Sequence, residues 1–318
     1  MDNQELKDVA LEDVPCPNGC EKNDEYILET GDMLSGLPGT FTVVRCNTCG
    51  LMRTNPRPTA ETIGFYYPDN YGPYEGTLIQ DEEPNTSNAK WKMWLKRLLS
   101  SRSTETPSIP VGKMLEVGCA SGSYLHKMAQ LGWEVQGIEF SPEAAENARR
   151  KGYTVHTGVL ENAPTPEKKF DLIVAWMVIE HLHEPVKSLR KLSLWANPQG
   201  YLVFSIPNTS NFFMNKYSYN LQLPTHLYHF SPNTITTLLK NTGWEVEKIE
   251  HQVTLSSLMA SVGYKLRETR GSSWLSSWLI SYPTRGGKLH YFFSPIALLL
   301  AKFGKTGRMT VWARKSSD

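Results

Sequence analysis

The sequence has few of the features that mark a membrane-spanning or secreted protein. No apolar run approaches the roughly 18 residues of a bilayer-spanning helix, and the longest covers only residues 295–301. Residues 1–14 are polar and acidic, without the basic start and apolar core of a signal peptide. Cysteine is scarce, with 5 among 318 residues, which argues against a disulfide scaffold. These absences predict a cytoplasmic protein.

The sequence also lacks a charge excess of either sign. Its 33 basic side chains nearly match its 32 acidic ones, so charge gives no reason to expect a nucleic-acid partner. The balance is uneven along the chain, because the residues from Ser261 onward include ten Lys or Arg but only two acids, Glu268 and Asp318. We therefore expect any contact with an anionic surface to involve the carboxy-terminal region.

Between Met114 and Phe140 the sequence predicts a strand, a glycine-bearing turn, a helix and a second strand. MLEVGCASGS (114–123) is an apolar strand that leads into the turn, and QGIEF (136–140) is a second strand that ends in Glu139. Glu116 and Glu139 stand 23 positions apart, which suits one βαβ crossover. Doubly wound sheets bind nucleotides at the carboxyl end of such a first strand.

The spacing of small residues in this turn separates the possible cofactors. A dinucleotide site uses G-x-G-x-x-G, whereas this turn reads Glu116-x-Gly118-x-Ala120-x-Gly122. It resembles the E/D-x-G-x-G-x-G motif of the class I S-adenosylmethionine-dependent methyltransferases, with Ala120 at the middle glycine. The resemblance implies that Glu139 accepts hydrogen bonds from both ribose hydroxyls. The residues that it places around S-adenosylmethionine are Glu116, Gly118, Cys119, Ala120, Ser121, Gly122, Glu139, Phe140, Val159, Leu160 and Trp176.

Four of the five cysteines form two close pairs near the amino terminus. Three residues separate Cys16 from Cys20, two separate Cys46 from Cys49, and 25 residues lie between the pairs. Two such pairs supply the four thiolates of a tetrahedral structural Zn²⁺ site. Because the segment is short and polar, metal binding would supply most of its folding free energy. The fifth, Cys119, is expected to be a small residue beside the cofactor, not a nucleophile.

The residues around the second cysteine pair extend the resemblance. VRCNTCGLMRTNPRP (44–58) is similar to the zinc-binding start of a subset of these methyltransferases, several of which act on sugars or other polar metabolites. FYYPDNYGPY (65–74) follows, and in similar enzymes such a segment covers the active site. This implies substrate contacts for Tyr71 and Tyr74. An ordinary aromatic packing segment is the alternative.

Strands and helices alternate through the main part of the chain. We predict strands at 113–117, 134–139, 154–157, 170–176, 201–206, 244–249 and 309–314. The alternation predicts an α/β fold with a Rossmann-like, doubly wound, mostly parallel seven-stranded sheet. The expected segments are a zinc-binding segment at 12–59, an aromatic lid and linker helix at 60–110, the S-adenosylmethionine-binding domain at 111–252, a helical insertion at 253–307 and the terminal strand at 308–318.

Histidines lie where the proton of a methyl acceptor would be removed. His181 follows the fourth predicted strand, and His226 and His229 precede a helix. Histidine suits proton abstraction near neutral pH. In similar sugar C-methyltransferases a Glu-His-Leu-x-Tyr-Phe-like segment supplies the base, which implies this role for His226, although Thr225 stands at the glutamate position. We predict His226 and His229 as catalytic residues, and His181 and Asn208 as substrate contacts. A structural histidine that bonds to neighbouring backbone is the alternative for His181. A hydrogen-bonded loop histidine is the alternative for His226.

The predicted insertion combines basic and apolar residues. Trp274, Leu275, Trp278 and Leu279 recur on one side of a helix, and SPIALLLAKFG (294–304) is typical of a capped helix that is apolar all round. Three uses stay open for this region: packing against the sheet or a partner subunit, lying on an anionic membrane surface, and binding a phosphorylated or nucleotide-linked substrate.

Together these patterns predict an S-adenosylmethionine-dependent methyltransferase with a structural Zn²⁺. The favoured acceptor is a sugar, a nucleotide-linked sugar or a related polar metabolite, methylated on oxygen, nitrogen or carbon. A second enzyme hypothesis is methylation of a lipid-linked glycan or quinone-like lipid, with the basic carboxy-terminal region touching the inner membrane face. A third is a non-catalytic zinc-ribbon binding module with a methyltransferase-like body. The sequence leaves the oligomeric state open.

Overall fold

The computed structural model describes residues 9–67, 107, 109–211, 215–285 and 289–316. Two small antiparallel sheets lie at the amino-terminal end. They contain β1 Leu11–Glu12, β2 Asp24–Gly31, β3 Thr40–Cys46, β4 Met52–Thr54 and β5 Arg57–Pro58. β1 pairs with β5, whereas β2, β3 and β4 share a sheet with a short strand from much later in the chain, Tyr228–His229.

A larger sheet of seven strands carries the rest of the fold. Its members are β6 Lys113–Val117, β7 Glu134–Glu139, β8 Thr154–Thr157, β9 Phe170–Trp176, β10 Ala196–Pro207, β12 Trp244–His251 and β13 Arg308–Lys315, and Tyr228–His229 is β11. The strand order is β12-β13-β10-β9-β6-β7-β8, and β13 alone among these seven runs antiparallel to its neighbours. The predicted Rossmann-like, mostly parallel sheet is therefore confirmed. The chain reverses direction across the sheet between β6 and β9, so a ligand crevice is expected at their carboxyl ends.

The strands nearest this crevice have the predicted boundaries. β6, β7, β8 and β9 agree residue for residue, and β9 is buried along most of its length, as its continuous apolar run predicts. β10 begins at Ala196 instead of Tyr201, because Ala196 pairs with Phe170 before an irregular stretch interrupts the register. β12 and β13 are longer by one or two residues at their ends.

Four helices connect the strands of this sheet. They are α1 Ser123–Gln130, α2 Pro142–Arg150, α3 Pro185–Trp195 and α4 Pro232–Lys240. Two of them start at serine caps. Ser141 Oγ accepts a hydrogen bond from the Ala144 amide at 3.3 Å, and Ser231 forms a capping box with Thr234. These caps fix where the chain leaves β7 and β11.

The region between β12 and β13 is helical, as predicted. It contains α5 Ser256–Arg270, α6 Trp274–Arg285 and α7 Leu289–Lys302. α5 and α6 pack closely at Gly263, where an added Cβ would lie 2.8 Å from the Ile280 amide nitrogen and 2.9 Å from Leu279 Cβ. No helix in the described ranges is both long and apolar enough to span a bilayer.

The structure shows which side of α6 is buried, which the sequence left open, and it corrects the predicted start of α7. The buried side of α6 consists of Ser276, Leu279 and Tyr282, whereas Trp274 is 80% exposed. The close approach at Gly263 decides which face of α6 packs against α5. The stripe of Trp274, Leu275, Trp278 and Leu279 does not decide it. Ser294 lies inside α7 instead of capping it, because the helix already begins at Leu289.

Part of the predicted aromatic lid and linker lies outside the described residues. This applies to Tyr71 and Tyr74 and to the helix expected near residues 89–99. The described start of the lid contains a short 3₁₀ helix, Ile63–Tyr66, whose Tyr66 hydroxyl donates a hydrogen bond to the Pro38 carbonyl at 2.9 Å. This contact joins the lid segment to the amino-terminal sheet.

Candidate active site

The glycine turn after β6 lies at the crevice and brings its backbone close to neighbouring elements. Gly118 and Gly122 have φ values of 73° and 84°, which glycine adopts at little cost. An added Cβ on Gly118 would lie 2.6 Å from Cγ2 of Val178, which follows β9. Ala120, at the middle position of the motif, also has a positive φ of 46°. The turn is thus shaped to present backbone instead of side chains.

Glu139 joins the end of β7 to this turn. Its carboxylate accepts hydrogen bonds from the Ala120 amide at 2.7 Å and from the Ser141 amide at 2.8 Å. The side chain is buried, and burial raises its pKa despite these bonds. A carboxylate offers about four lone-pair sites, so the two amide bonds leave capacity for two ligand hydroxyls. This is the geometry that recognition of a ribose requires.

Glu116 lies beneath the turn on β6. Its Oε2 atom is buried without a hydrogen-bond partner among the described residues. Burial, and secondarily the charge of Glu139, raises the pKa of Glu116 well above its usual value. A buried acceptor without a partner is costly, so this atom is suited to a ligand that brings a donor, such as an ammonium group.

The predicted cofactor contacts that follow β7 and β8 differ in how exposed they are. Phe140 is 55% exposed and Val159 is 38% exposed, while Leu160 is buried between them and the core. Exposed apolar side chains beside a crevice are suited to the faces of a base. Trp176, at the end of β9, stacks edge to face on Tyr124 with ring centroids 5.3 Å apart.

Cys119 packs away from the crevice. An added Cβ on Gly137 of β7 would lie 2.5 Å from the Cys119 Sγ atom, so the thiol fills the space above that glycine. Burial raises the pKa of this thiol, which keeps it protonated. A protonated buried thiol agrees with the predicted non-nucleophilic role. Ser121, the next predicted cofactor contact along the turn, is also buried.

The four amino-terminal cysteines come together as predicted. One sulfur atom from each of Cys16, Cys20, Cys46 and Cys49 lies within 4.8 Å of the others. Zn–S bonds of about 2.3 Å in a tetrahedron place the sulfurs about 3.8 Å apart, so the cluster fits Zn²⁺. The Cys16 and Cys49 sulfurs are 3.5 Å apart.

A glycine with a positive φ closes the turn at each cysteine pair, over three residues in the first pair and four in the second. The Gly19 amide donates to the Cys16 carbonyl at 3.0 Å, and the Gly50 amide donates to the Cys46 carbonyl at 2.8 Å. Both glycines have a φ of 78°. Burial acts to raise the pKa of Cys46, but amide hydrogen bonds from Cys49 and Thr48 outweigh it and lower the value to about 7. Such turns prepare a thiolate for a metal.

Strand β4 connects the cysteine segment to the histidine loop. The Thr54 hydroxyl donates to the His226 carbonyl at 2.7 Å, and the Thr54 amide donates to the Leu227 carbonyl at 3.0 Å. Its neighbour Arg53 is fully buried and makes two hydrogen bonds to Asp24, at 2.9 and 2.7 Å. The segment that carries the cysteines therefore positions the loop that carries His226.

His226 lies in a buried polar group that we call the Glu180 cluster, consisting of Glu180, His181 and His226. The His181 and His226 rings meet edge to face with centroids 4.7 Å apart. Burial lowers the pKa of His226 well below its usual value and that of His181 to about 4, so both rings are neutral at pH 7. Burial raises the pKa of Glu180 to about 8.

His229, predicted as catalytic, and Asn208, predicted as a substrate contact, both form hydrogen bonds within the protein. His229, on β11, is buried and its Nε2 lies 3.2 Å from the Thr54 hydroxyl. Burial lowers its pKa to about 3. Asn208 is fully buried, and its amide nitrogen donates to the carbonyls of Gly304 and Thr306 at 3.0 and 2.9 Å. In this structure Asn208 fastens the end of the insertion to β10.

The sequence-based prediction did not include Glu180. Its side chain is fully buried after the end of β9, in a 3₁₀ helix, Ile179–His181. The available signal was a carboxylate inside the apolar segment MVIEHL (177–182), where a charge is costly unless it has a task. His181 was predicted as a site residue, and Glu180 is the residue directly before it in the same 3₁₀ helix.

Comparison with known proteins places this architecture among methyltransferases. A family-wide sequence model described as a methyltransferase domain matches residues 87–249, just over half of the chain. A ubiquinone biosynthesis O-methyltransferase from Alkalilimnicola ehrlichii is 29% identical over 103 residues, covering 30% of this chain and 42% of the relative. A probable S-adenosylmethionine-dependent methyltransferase from Mycolicibacterium smegmatis is 26% identical over 163 residues, covering 49% of this chain and 62% of the relative.

These alignments are partial. The chain spans 42% and 62% of the length of the two relatives. Among solved structures, the [4+2]-cyclase SpnF has a TM-score of 0.50 and 19% identity, covering 82% of this chain and 98% of the cyclase. That similarity shows the fold, and the name of the cyclase shows that the fold serves more than one reaction.

Proposed function

This chain belongs to the methyltransferase-domain family, and from that premise we propose that it transfers the methyl group of S-adenosylmethionine to a polar small molecule. The observation that carries the proposal is Glu139, a buried carboxylate at the end of β7 that the Ala120 and Ser141 amides hold against the glycine turn. A dinucleotide would need a phosphate-binding turn that this sequence lacks. S-adenosylmethionine has no phosphate, and its hydroxyls and ammonium group suit the two buried carboxylates.

The chain's residues have separate tasks in this reaction. When bound, the cofactor supplies an electrophilic methyl group on a sulfonium centre. Glu139 would hold the ribose hydroxyls and Glu116 would face the ammonium-bearing end. The Glu180 cluster would hold the acceptor so that its nucleophile is in line with the methyl group, which is where alignment lowers the barrier. The acceptor forms the new bond to the methyl carbon, the C–S bond breaks with its electron pair going to sulfur, and the acceptor's proton is released.

The favoured acceptor is a hydroxyl of a sugar or nucleotide-linked sugar. The support for it is the polar character of the Glu180 cluster and the similarity of residues 44–58 to enzymes of that substrate class. We also propose that the four-cysteine site binds a structural Zn²⁺, for which the sulfur spacing is the support.

A quinone-like lipid is the second candidate acceptor. Two observations favour it: relatives such as the A. ehrlichii protein are named ubiquinone biosynthesis O-methyltransferases, and the insertion has large exposed apolar side chains. Trp274 is 80% exposed, Phe292 76% and Phe303 67%. Such a surface could approach a membrane-bound acceptor.

Cofactor binding is tested by calorimetry with the Glu139→Ala variant. We expect the variant to bind S-adenosylmethionine at least 10-fold more weakly, since a hydrogen bond to a charged group is worth about 1.5–3 kcal/mol. Glu134→Ala is the matched control, because Glu134 lies exposed at the other end of β7. No binding by the wild-type chain would instead support the non-catalytic binding module.

The acceptor class is tested by methyl incorporation from labelled cofactor. One panel contains nucleotide sugars and the other contains demethylated quinols in detergent. Incorporation into the first panel alone supports the sugar acceptor, and incorporation into the second alone replaces it with the lipid. His226→Ala should lose turnover while it keeps cofactor affinity, and unchanged turnover would remove the Glu180 cluster from the reaction.

A further inference from the structure

The Glu180 cluster contains acceptors without the donors that a buried site normally supplies. Both carboxylate oxygens of Glu180 and the Nε2 atom of His226 are buried and have no hydrogen-bond partner in the described part of the chain. Most buried polar side-chain atoms in native proteins have a partner, so three such atoms on two adjacent residues require an explanation. No hydrogen bond joins Glu180 to His226, so a shared proton does not account for them.

Hydrogen bonds to the main chain fix the tautomer of both histidines. The His226 Nδ1 atom lies 2.9 Å from the Asn220 carbonyl. The His181 Nδ1 atom lies 2.8 Å from the Thr225 carbonyl and 2.9 Å from the Tyr67 hydroxyl, whose oxygen can accept the same hydrogen. A carbonyl oxygen only accepts, so each Nδ1 carries the hydrogen and each Nε2 keeps a lone pair. This is the arrangement found in metal-binding histidines, where the second ring nitrogen is held by a carbonyl or carboxylate.

The spacing of the cluster is that of a shared ligand set. One ligand atom from each of Glu180, His181 and His226 lies within 4.8 Å of the other two. Two ligands that each bind one ion at about 2.1 Å lie up to about 4.2 Å apart, so a small adjustment brings all three into a coordination sphere. Arg308 is near enough to influence Glu180 electrostatically, but no hydrogen bond or ion pair joins them.

We propose that Glu180, His181 and His226 bind a divalent first-row transition-metal ion, in a site separate from the four-cysteine site. Two imidazoles with one carboxylate form the 2-His-1-carboxylate set that leaves coordination positions open. Imidazole ligands favour transition metals over Mg²⁺ or Ca²⁺. His181 is only partly buried, so the cluster is not wholly closed off from solvent.

The position of this site gives the ion a task, on the premise of the proposed function. Val178, two residues before Glu180, lies against Gly118 of the cofactor turn, so the segment that carries Glu180 and His181 starts beside that turn. An ion there would bind the acceptor's hydroxyl oxygen and lower its pKa, so that the proton leaves to solvent before the oxygen attacks. His226 is then a ligand, because a lone pair bound to metal cannot also accept the acceptor's proton.

The proposal is tested with Mn²⁺ on the full chain carrying Zn²⁺ in its cysteine site. Mn²⁺ prefers oxygen and nitrogen ligands, so it does not compete for four thiolates. Electron paramagnetic resonance counts the free Mn²⁺ during titration, without cofactor or acceptor present. We expect one bound Mn²⁺ per wild-type chain.

The matched variants are Glu180→Gln and Glu184→Gln. Glu180→Gln removes a ligand at constant shape and should weaken Mn²⁺ binding at least about 100-fold, because losing even an outer-shell partner costs 10- to 100-fold. Glu184 is exposed in the same segment and pairs with Lys187, so its variant should bind as the wild type does. Zinc content and cofactor affinity report whether each variant is folded. If Glu180→Gln does not fold, His181→Gln is used in its place, with the same expected loss.

Two results would overturn the assignment: no stoichiometric Mn²⁺ binding by the wild type, or equal binding by the ligand variant and the wild type. The proposed function fails separately. Mn²⁺ binding without any cofactor binding would refute methyl transfer and leave the metal site. Methyl transfer that is insensitive to chelation and to Glu180→Gln would refute the metal site and leave the proposed function.

Discussion

At the scale of single residues, two buried glutamates at the ends of adjacent strands differ in how they are satisfied. Glu139 accepts two backbone amides, whereas the Oε2 atom of Glu116 has no partner among the described residues. Burial raises the pKa of both carboxyls. The chain therefore keeps a group at Glu116 that destabilises the ligand-free fold, as expected where binding and stability conflict.

We predict that Glu116→Gln stabilises the ligand-free protein above neutral pH and weakens its affinity for S-adenosylmethionine. A carboxyl whose pKa is raised by folding binds protons more tightly in the folded state. Its cost is therefore absent below the unfolded pKa near 4.5 and grows as pH rises through the folded pKa. Replacing the Glu116 carboxyl with an amide should therefore raise the free energy of unfolding at pH 8 by about 1 kcal/mol or more.

Urea unfolding at pH 5 and pH 8 measures this effect. The gain should be larger at pH 8, and calorimetry should show weaker cofactor binding in the same variant. A gain that is equal at both pH values would show that the folded-state carboxyl is not the source.

At the scale of elements, β4 is the structural link between the cysteine segment and the Glu180 cluster. It pairs with β3 on one side and β11 on the other. Thr54 hydrogen-bonds to the loop between Asn220 and β11, and the Leu227 amide of that loop donates to the Glu180 carbonyl at 2.9 Å. A metal ion held by the four cysteines would thus support residues that are far away in sequence.

We predict that Cys46→Ser loses Zn²⁺ and most methyl transfer, although Cys46 does not contact the cofactor crevice. Without the metal, the small sheet has little core to hold it, and β4 no longer fixes the position of His226. Zinc content by mass spectrometry, and hydrogen exchange of residues 226–229, measure the two parts of this claim.

Cys119→Ser is the control for the loss of a thiol. Cys119 lies outside the four-cysteine cluster, so this variant should keep one zinc per chain. Normal exchange at residues 226–229 in Cys46→Ser would contradict the proposed link.

The elements that could be predicted from the sequence are those whose local pattern and tertiary environment agree. β6 to β9 have a continuous or flanked apolar run between turn signals, and their boundaries were predicted correctly. The sequence left open which side of α6 is buried, because Gly263 on another helix decides it. It also did not indicate that β4 pairs with β11, since a two-residue strand has too short a pattern to indicate its partner.

The candidate site divides in the same way. The residues of the glycine turn, 116–122, follow each other in a motif whose backbone geometry is local, so the sequence could predict the turn. The Glu180 cluster combines two side chains after β9 with one before β11, and its burial depends on how the loop packs. His181 and His226 were singled out for their chemistry, but the sequence has no signal for Glu180 as their partner.

At the scale of the whole molecule, the exposed apolar side chains are concentrated on the insertion. Trp274, Phe292, Ile296, Leu299 and Phe303 are each more than half exposed. Basic residues accompany them, since the chain from residue 261 onward is rich in Lys and Arg. An apolar surface with basic neighbours is the combination that favours an anionic lipid surface.

The lipid-acceptor hypothesis therefore predicts binding to anionic vesicles and not to neutral ones. A variant with Trp274→Ser and Phe292→Ser should lose most of this binding, because both side chains are exposed and apolar. Sedimentation with vesicles of phosphatidylglycerol or phosphatidylcholine measures it. Leu194→Ser is the control, since Leu194 is 69% exposed but lies on α3, away from the insertion. Vesicle binding that survives the double substitution would place the contact elsewhere.

The pairing of β4 with β11 also bears on how the protein is made. Thr54 and its partner His229 are 175 positions apart, so β4 leaves the ribosome long before the strand that completes its sheet exists. During that interval its outer edge is an unpaired template that a neighbouring nascent chain can occupy. Slow translation should prolong the exposure of this edge. If the cysteines bind zinc early, the outer edge of β4 would be the part of the small sheet that still lacks its partner strand.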